Sequence, residues 1–166
     1  MRAGIALGSN LHSRREYLHS AREKILQIRR SNAPFLFSAL YETEPIGCES
    51  GAQKFLNAVT EVEYDEQPKE LLRELRTIEE SLGRNRDHTR NASRTVDLDL
   101  LYFGDHEIDR AELQLPHPRM HLRRFVLAPL ADIRADLILP GQTKPVRALL
   151  SELADNSTVV RVADEW

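Results

Sequence analysis

Two aspartates interrupt an apolar stretch of the sequence, residues 93–104, which reads SRTVDLDLLYFG. The residue types alternate as in a β-strand, where successive side chains point to opposite faces of the sheet. The alternation predicts two acids on one face, Asp97 and Asp99, and three apolar side chains on the other, Val96, Leu98 and Leu100. Two carboxylates this close repel each other unless a cation lies between them. The pair therefore indicates either a cation site or, as the alternative, the solvated outer face of a strand.

An arginine-rich segment, GRNRDHTRNASR, leads the chain into this strand. It carries a single acid, Asp87, against four guanidinium groups, those of Arg84, Arg86, Arg90 and Arg94. The planar fork of arginine pairs with two phosphate oxygens at once, and Mg²⁺ held by paired carboxylates bridges phosphate oxygens. Taken alone, the arginines also suit an ordinary surface loop. Their position next to the acid pair favours a polyphosphate ligand that both features bind.

A second group of residues suits a flat ligand. Phe55 and Asn57 stand two residues apart in a segment of strand composition, so they share a face. An aromatic ring stacks on a planar heterocycle, and an amide both donates to and accepts from its edge. Phe125, which follows a later run of arginines, offers a second stacking surface. The alternative for these three residues is packing in the core, with the amide satisfied by protein groups.

Two histidines four residues apart, His117 and His121, have the spacing of a zinc-binding pair. Pro116 and Pro118 argue against a helix there, and no third ligand has suitable spacing, so a zinc site is not expected. A phosphate contact explains a histidine here better, because three arginines accompany it, Arg119, Arg123 and Arg124. Neither a P-loop nor a dinucleotide-binding glycine motif occurs in the sequence.

The elements that must position these residues alternate as strand, helix, strand, strand, helix, strand. Residues 2–7 and the segments FLFSALYET and KFLNAVTEVEY have strand composition. One helix is predicted after its N-cap, Ser13, and a second from Pro68, with Gly83 ending it. This order predicts an α+β fold, a ferredoxin-like βαββαβ antiparallel sheet with helices on one face. A C-terminal extension follows, with a short helix at residues 146–153 and a strand, TVVRVA.

Glu79 lies in the last turn of the second predicted helix, at the margin of its apolar face. Acids are slightly unfavourable near a helix C-terminus, so a cationic partner from the arginine-rich segment is one explanation. For a single residue, a solvated helix edge is the preferred expectation.

Length and composition suit one globular domain, residues 1–166. Hydrophobic residues make up 41% of the chain and charged residues 30%, which argues against disorder. The net charge of −3 predicts no general attraction to nucleic acid or to an anionic membrane. No apolar run approaches the roughly 18–20 residues of a membrane span, and a single cysteine, Cys48, excludes an internal disulfide. We expect a cytoplasmic, monomeric protein whose partners are small molecules.

Five segments together resemble one enzyme family. Their order and approximate spacing in the chain resemble those of the 6-hydroxymethyl-7,8-dihydropterin pyrophosphokinase family. The segments are GIALGSNL, FLNAV, IEESLGRNR, RTVDLDLLYFG and LPHPRMHLRRFVLAPL. The resemblance runs from the first strand to about Leu130. It implies a ferredoxin-like core and transfer of the β,γ-pyrophosphoryl group of ATP to a pterin hydroxymethyl oxygen, with release of AMP, in tetrahydrofolate biosynthesis.

The resemblance also implies roles for individual residues. Asp97 and Asp99 would hold two Mg²⁺ ions that bridge the triphosphate, while Arg84 and Arg94 would steady the phosphates during catalysis. The nucleotide would contact these two arginines and six further residues, Glu79, Arg86, Arg90, Leu100, His117 and Arg123. The pterin would contact Asp97 and six further residues, Thr43, Pro45, Ile46, Phe55, Asn57 and Phe125. Loops at residues 44–53 and 83–93 would close over both substrates.

The chain departs from the family pattern at three places. Residues 91–93 read NAS where Gly-Pro often closes the segment, Arg76 replaces a common glutamine, and Leu122 replaces a common acid. None of these changes removes a metal ligand, so activity is expected. One alternative is a degenerate relative that binds pterin or nucleotide without turnover. The other is a nucleic-acid-binding module, because ferredoxin-like sheets can stack bases on aromatics, although this sheet is predicted to carry acids.

Overall fold

A computed structural model of the chain describes residues 1–11, 13–28, 34–45, 53–83, 95–155 and 157–166. The strands in these residues are β1 Arg2–Ser9, β2 Leu36–Phe37, β3 Leu40–Thr43, β4 Phe55–Glu63, β5 Asp97–Phe103, β6 Ile108–Arg110, β7 Leu113–Leu115 and β8 Val159–Ala163. The α-helices are α1 Arg14–Ile28, α2 Pro68–Ser81, α3 Arg124–Arg134 and α4 Val146–Glu152, and a 3₁₀ turn spans Met120–Leu122. No helix in the described ranges is long and apolar enough to cross a membrane.

The main sheet has the strand order β5-β1-β4-β3-β8, with β2 also paired to β4. Every pairing in it is antiparallel. The helices α1 and α2 connect β1 to the β2–β3 segment and β4 to β5, which gives the predicted ferredoxin-like βαββαβ core. The predicted fold class is therefore confirmed, and β1 lies between β4 and the aspartate-bearing β5.

The segment predicted as one strand, FLFSALYET, forms two short strands, β2 and β3. Ser38 lies in the break between them, and its main-chain N–H donates to the carbonyl of Val59 at 2.9 Å. The hydroxyl of Ser38 accepts the N–H of Val59 in return at 3.0 Å. A side-chain oxygen thus replaces one main-chain acceptor of the sheet, and both strands stay attached to β4.

One face of the sheet is covered by α1 and α2. Alternate residues of β1, namely Ala3, Ile5 and Leu7, point to this face and are at most 1% exposed. They pack against the buried side chains of the two helices, Leu18, Ala21, Ile25, Leu71, Leu75 and Ile78. Full burial of one leucine or isoleucine side chain stabilises the fold by about 1.5–3 kcal/mol relative to exposure. This layer supports the sheet from the side opposite to the face that carries the acids.

The opposite face is covered by α3, a helix that the sequence did not predict. Val126, Leu127 and Leu130 of this helix pack in a second core together with Val59 and Leu101 of the sheet. The expectation of helices on one face only is therefore wrong. The reason lies in the sequence FVLAPL, because a proline within a short apolar run argues against a helix. Here Pro129 is tolerated inside α3.

A β-bulge in β5 positions the loop that carries His117. The pairing of β1 with β5 steps from Leu100 directly to Tyr102, so Leu101 is the extra residue. The carbonyl of Leu101 accepts the main-chain N–H of His117 at 2.7 Å. The loop after β7, which begins with a cis Leu115–Pro116 bond, is thereby attached to the strand that carries both aspartates.

The C-terminal extension folds back onto the core. The predicted helix and the predicted last strand both form, as α4 and β8, and β8 pairs antiparallel with β3 at the edge of the sheet. The indole N–H of Trp166 donates to the carbonyl of Ser38 at 2.8 Å. The end of the chain is therefore attached to the core by main-chain pairing and by a side-chain hydrogen bond.

Candidate active site

Side chains expected to bind ligands lie in neighbouring rows across the sheet. Gly8 of β1 pairs with Asp97 of β5 on one side and with Asn57 of β4 on the other. In the next row, Ala6 pairs with Asp99. Because Gly8 and Ala6 add little or no side chain, the sheet surface is open between the acids and the amide. A cleft of about 500 Å³ lies over this surface and is bounded by residues at the start of α3.

The two aspartates face this cleft, as the strand alternation predicted. Asp97 and Asp99 line the cleft, whereas Val96, Leu98 and Leu100 belong to the core on the other face. The side chain of Asp99 is 43% exposed, and its Oδ2 lies 4.0 Å from Nη1 of Arg123. The acid pair is thus accessible to a ligand and has a guanidinium group close by.

Glu79 supports the aspartate strand from the end of α2. It is only 5% exposed, and its Oε1 accepts the main-chain N–H of Leu98 at 2.7 Å. Leu98 stands between the two aspartates in β5, which is an edge strand of the sheet. The carboxylate of Glu79 therefore provides the hydrogen bond that a neighbouring strand would otherwise make. The expectation of a solvated helix edge is wrong, because this acid is used to fix the backbone of β5.

Burial and neighbouring charges set the electrostatics of His117 and Arg123. Burial lowers the pKa of His117, and the guanidinium groups of Arg123 and Arg119 add to this effect, while Asp99 opposes it. Burial and Arg119 likewise lower the pKa of Arg123, against Asp99 and Asp97. The imidazole is therefore neutral near pH 7, while Arg123 stays cationic. A polyanion in the cleft would relieve the repulsion between the clustered guanidinium groups.

The other end of the cleft carries the amide and the aromatic rings. Nδ2 of Asn57 donates to Oγ1 of Thr43 at 2.8 Å, which fixes the amide plane. Oδ1 of Asn57 lies 3.4 Å from the position that a Cβ on Gly8 would take. Phe55 and Phe125 both line the cleft together with Asn57, so two aromatic rings are available to a flat ligand there.

The carboxylate pair suits a hard cation that is shared with a ligand. In the described part of the chain, no group of three or more His, Cys, Asp or Glu side chains is arranged to hold a metal by itself. Two carboxylates leave most of the coordination sphere to phosphate oxygens and water, as Mg²⁺ prefers when it accompanies a nucleotide. The oxygen donors of Asp97 and Asp99 therefore fit Mg²⁺ bound together with a polyphosphate.

The remaining predicted site residues fall in different places. Thr43 lines the cleft, and Pro45 follows shortly after the end of β3. Leu100 is 4% exposed in the core, so a nucleotide contact there would be through its main chain. Five predicted positions lie outside the described residues, namely Ile46, Arg84, Arg86, Arg90 and Arg94. Most of both predicted closing loops lies outside them as well.

The start of α3 holds two adjacent arginines with different functions. Arg123 faces the cleft, and its guanidinium carbon lies 5.4 Å from the ring centre of Phe125. Arg124, grouped with the phosphate contacts in the sequence, instead donates from Nε to the carbonyl of Asp155 at 2.8 Å. Asp155 and Ser157 also line the cleft, and sequence reasoning missed both because no local pattern links them to α3.

A larger cleft of about 770 Å³ lies elsewhere on the molecule, beside Glu61 of β4. The carboxylate of Glu61 accepts from the hydroxyl of Tyr102 at 2.6 Å and from Nε of Arg134 at 3.0 Å. These polar groups satisfy one another and hold α3 to the sheet. The smaller cleft, with its accessible acids, is therefore the candidate active site.

Comparison with known proteins identifies a family of pterin enzymes. The family described as 7,8-dihydro-6-hydroxymethylpterin-pyrophosphokinase matches residues 4–135. The 2-amino-4-hydroxy-6-hydroxymethyldihydropteridine pyrophosphokinase of Haemophilus influenzae is 38% identical over 157 residues, which cover 95% of this chain and 96% of that protein. The enzyme of the same name from Bacillus subtilis is 45% identical over 131 residues, 79% of this chain and 77% of that protein.

Solved structures of low sequence identity share the fold. Plasmodium falciparum HPPK-DHPS, wild type with pteroate, has a TM-score of 0.68 at 15% identity, covering 91% of this chain and 42% of that chain. The wild type with pterin and p-hydroxybenzoate gives 0.66 at 15% identity, with the same coverage of 91% and 42%. This chain thus spans less than half the length of those proteins. The family match and the two relatives of higher identity give no support to a degenerate relative without turnover. The family match and the two relatives show that the chain belongs to the 7,8-dihydro-6-hydroxymethylpterin-pyrophosphokinase family, enzymes of folate synthesis.

Proposed function

We propose that this protein transfers the β,γ-pyrophosphoryl group of ATP to the hydroxymethyl oxygen of 6-hydroxymethyl-7,8-dihydropterin and releases AMP. The observation that carries the proposal is the row formed by Asp97, Gly8 and Asn57, which joins the acid pair to the amide across an open sheet surface. The acid end suits a metal-bound triphosphate, and the amide end suits a flat heterocycle. Membership of the family supports ATP and a pterin as these two ligands.

The spacing of the row supports this arrangement of substrates. Asp97 and Asn57 lie on strands that are separated only by β1, so their backbones are roughly 10 Å apart. A bicyclic pterin that hydrogen-bonds to Asn57 and stacks on Phe55 and Phe125 would direct its hydroxymethyl arm toward the acids. The bound geometry would then place the attacking oxygen beside the triphosphate, which converts an encounter in solution into an oriented reaction.

The reaction asks the protein for positioning and charge neutralisation. The hydroxymethyl oxygen attacks the β-phosphorus and its proton passes to solvent, the bond from that phosphorus to the bridging oxygen of the α-phosphate breaks, and AMP leaves with the electron pair. Arg123 and His117 would contact the phosphates from the side of α3. We assign the other phosphate contacts to the arginine-rich segment, namely to Arg84, Arg86, Arg90 and Arg94.

We assign two Mg²⁺ ions of the nucleotide complex to Asp97 and Asp99. When bound, Mg²⁺ neutralises phosphate charge and orients the transferred group. Glu79 keeps the backbone between these acids in place through Leu98, so the strand that carries both carboxylates is held without a ligand. We further propose that residues 1–166 act as one catalytic domain and as a cytoplasmic monomer. The six-stranded sheet supports a single domain, because it includes both the first and the last strand.

Substitution of the acids tests the proposal. Asp97→Asn and Asp99→Asn should each lower turnover by about 10²–10³-fold or more, because a neutral amide weakens the binding of the Mg²⁺ that would stabilise the charge of the transition state. Asp105→Asn is the matched control, since Asp105 is exposed just beyond the other end of β5 and should leave turnover unchanged. Circular dichroism and urea midpoints should match the wild type in all variants. Wild-type turnover in both active-site variants would contradict the proposed role of the acid pair.

A further inference from the structure

The C-terminal segment supplies an acceptor to the first residue of α3. Oδ2 of Asp155 accepts the main-chain N–H of Arg124 at 3.0 Å. The first N–H groups of a helix have no partner within the helix, and an oxygen from the N-cap side chain commonly satisfies one of them. The N-cap of α3 is Arg123, which makes no such hydrogen bond. A carboxylate from the C-terminal segment performs this capping function instead.

The contact is reciprocal. Nε of Arg124 donates to the carbonyl of Asp155 at 2.8 Å, and the N–H of Ser157 donates to Oδ1 of Asp155 at 2.8 Å. Burial acts against the ionised carboxylate, but the N–H groups of Arg124 and Ser157 outweigh it and lower the pKa of Asp155. Asp155 is therefore ionised at neutral pH. We call this reciprocal pair, Arg124 and Asp155, the clasp.

The clasp lies next to two side chains of the candidate active site. Arg123 and Phe125 flank Arg124 in the sequence, and both line the cleft. The guanidinium of Arg123 lies 4.0 Å from Asp99 and 5.4 Å from the ring centre of Phe125. Because the main chain of Arg124 is fixed, these two side chains extend from a fixed turn. The clasp thereby holds the backbone that carries Arg123 and Phe125 in place at the edge of the cleft.

We propose that Asp155 is a positioning residue, which orients Phe125 and Arg123 for pterin binding by capping α3. The inference rests on the proposed function and extends it to a part of the chain beyond residues 4–135, the range that the family match covers. The C-terminal extension thus contributes to the substrate site as well as to the sheet.

Three variants separate this role from general stability. Asp155→Ala removes the acceptor, and Asp155→Asn keeps one oxygen that can accept from Arg124. Asp164→Ala is the matched control, since Asp164 belongs to the same segment and its carboxylate pairs with the exposed Arg161. Each variant is assayed for the KM of the pterin, for kcat and, without ligand, for amide hydrogen exchange at Arg124. The emission of Trp166, the single tryptophan, reports whether the C-terminus stays attached.

Asp155→Ala should raise the KM of the pterin about fivefold to tenfold, the scale of a lost helix cap, with kcat within about threefold of the wild type. Exchange at Arg124 should become at least about tenfold faster, because its hydrogen-bond acceptor is gone. Asp155→Asn should restore most of both values. Asp164→Ala should match the wild type. Trp166 emission should be unchanged in every variant, because β8 is attached to β3 independently of the clasp.

Three results would overturn the inference. A wild-type KM in Asp155→Ala, with faster exchange at Arg124, would show that the clasp only stabilises the helix. Equal impairment in Asp155→Asn and Asp155→Ala would show that the acceptor is not the cause. A red shift of Trp166 emission in Asp155→Ala would show that the whole segment detaches. The proposed function fails in a different way, through a wild-type protein that binds and converts no pterin, and the inference would fail with it.

Discussion

A methyl group at Gly4 tests how the second core is built. A Cβ on Gly4 would lie 2.1 Å from Cε1 and 2.5 Å from Cζ of Tyr102, so the ring occupies the space that any side chain at position 4 needs. The bulge in β5 brings Tyr102 to this place, where it is 3% exposed and donates to Glu61 at 2.6 Å. Gly4→Ala therefore cannot be accommodated unless the ring or the strand moves.

The loss of unfolding free energy on Gly4→Ala depends on which buried interactions of Tyr102 are lost when the clash is relieved. Overpacking of a core typically costs about 1–3 kcal/mol, and complete loss of a buried aromatic ring costs about 3–5 kcal/mol. If the ring moves and its hydroxyl leaves Glu61, part of the free energy of a buried hydrogen bond is lost as well. We expect Gly4→Ala to lower the free energy of unfolding by about 3 kcal/mol. With a urea slope near 2 kcal/mol/M, the midpoint falls by about 1.5 M.

Urea unfolding followed by circular dichroism measures this shift, and a double-mutant cycle identifies its cause. In a Tyr102→Ala background, Gly4→Ala should cost almost nothing, because the space is then free and alanine is at least as good as glycine in a strand. A midpoint drop below about 0.5 M in the single variant would refute the predicted clash. An equal loss of unfolding free energy on Gly4→Ala in the wild-type and Tyr102→Ala backgrounds would refute it as well.

Three further predictions concern the cleft and its supports. Gly8→Ala places a methyl group on the open sheet surface without a protein clash, so the KM of the pterin should rise about tenfold while the urea midpoint stays within about 0.5 M; an unchanged KM would show that no ligand approaches Gly8. Glu79→Ala leaves the N–H of Leu98 without its carboxylate partner and should cost about 1–3 kcal/mol in urea unfolding, whereas Glu79→Gln should retain most stability; equal losses would contradict the hydrogen-bond explanation. Burial and the hydrogen bond to Asp132 raise the pKa of Tyr41 to about 12, above about 10 in the unfolded chain. The stabilisation that this shift represents is complete below pH 10 and is lost as the pH rises toward 12, so the midpoint difference between wild type and Tyr41→Phe should shrink over that interval; a constant difference would contradict it.

Features with a local period could be predicted from the sequence. The alternation in β5 gave the correct face for both aspartates, because side-chain direction in a strand depends only on the position along it. The end of α2 at Gly83 was also predicted, and Gly83 adopts a φ of 87°, which favours glycine. Both features are decided within a few residues of the chain.

Features that depend on distant contacts could not be predicted in this way. Glu79 is buried because its acceptor oxygen replaces a strand neighbour for Leu98, a residue 19 positions away. Asp155 reaches Arg124 across 31 positions, and no periodicity joins the two. The helix α3 was missed because its stability comes from packing on the sheet, which overrides the unfavourable effect of Pro129.

The identity of the nucleotide product tests the central claim most directly. The wild-type chain would be supplied with ATP, Mg²⁺ and 6-hydroxymethyl-7,8-dihydropterin, and the nucleotides would be separated and quantified over time. Pyrophosphoryl transfer predicts one AMP for each pterin consumed, with no accumulation of ADP, and predicts that omission of Mg²⁺ abolishes the reaction. ADP in step with pterin consumption would instead show a single-phosphoryl kinase, and the proposed attack at the β-phosphorus would be wrong.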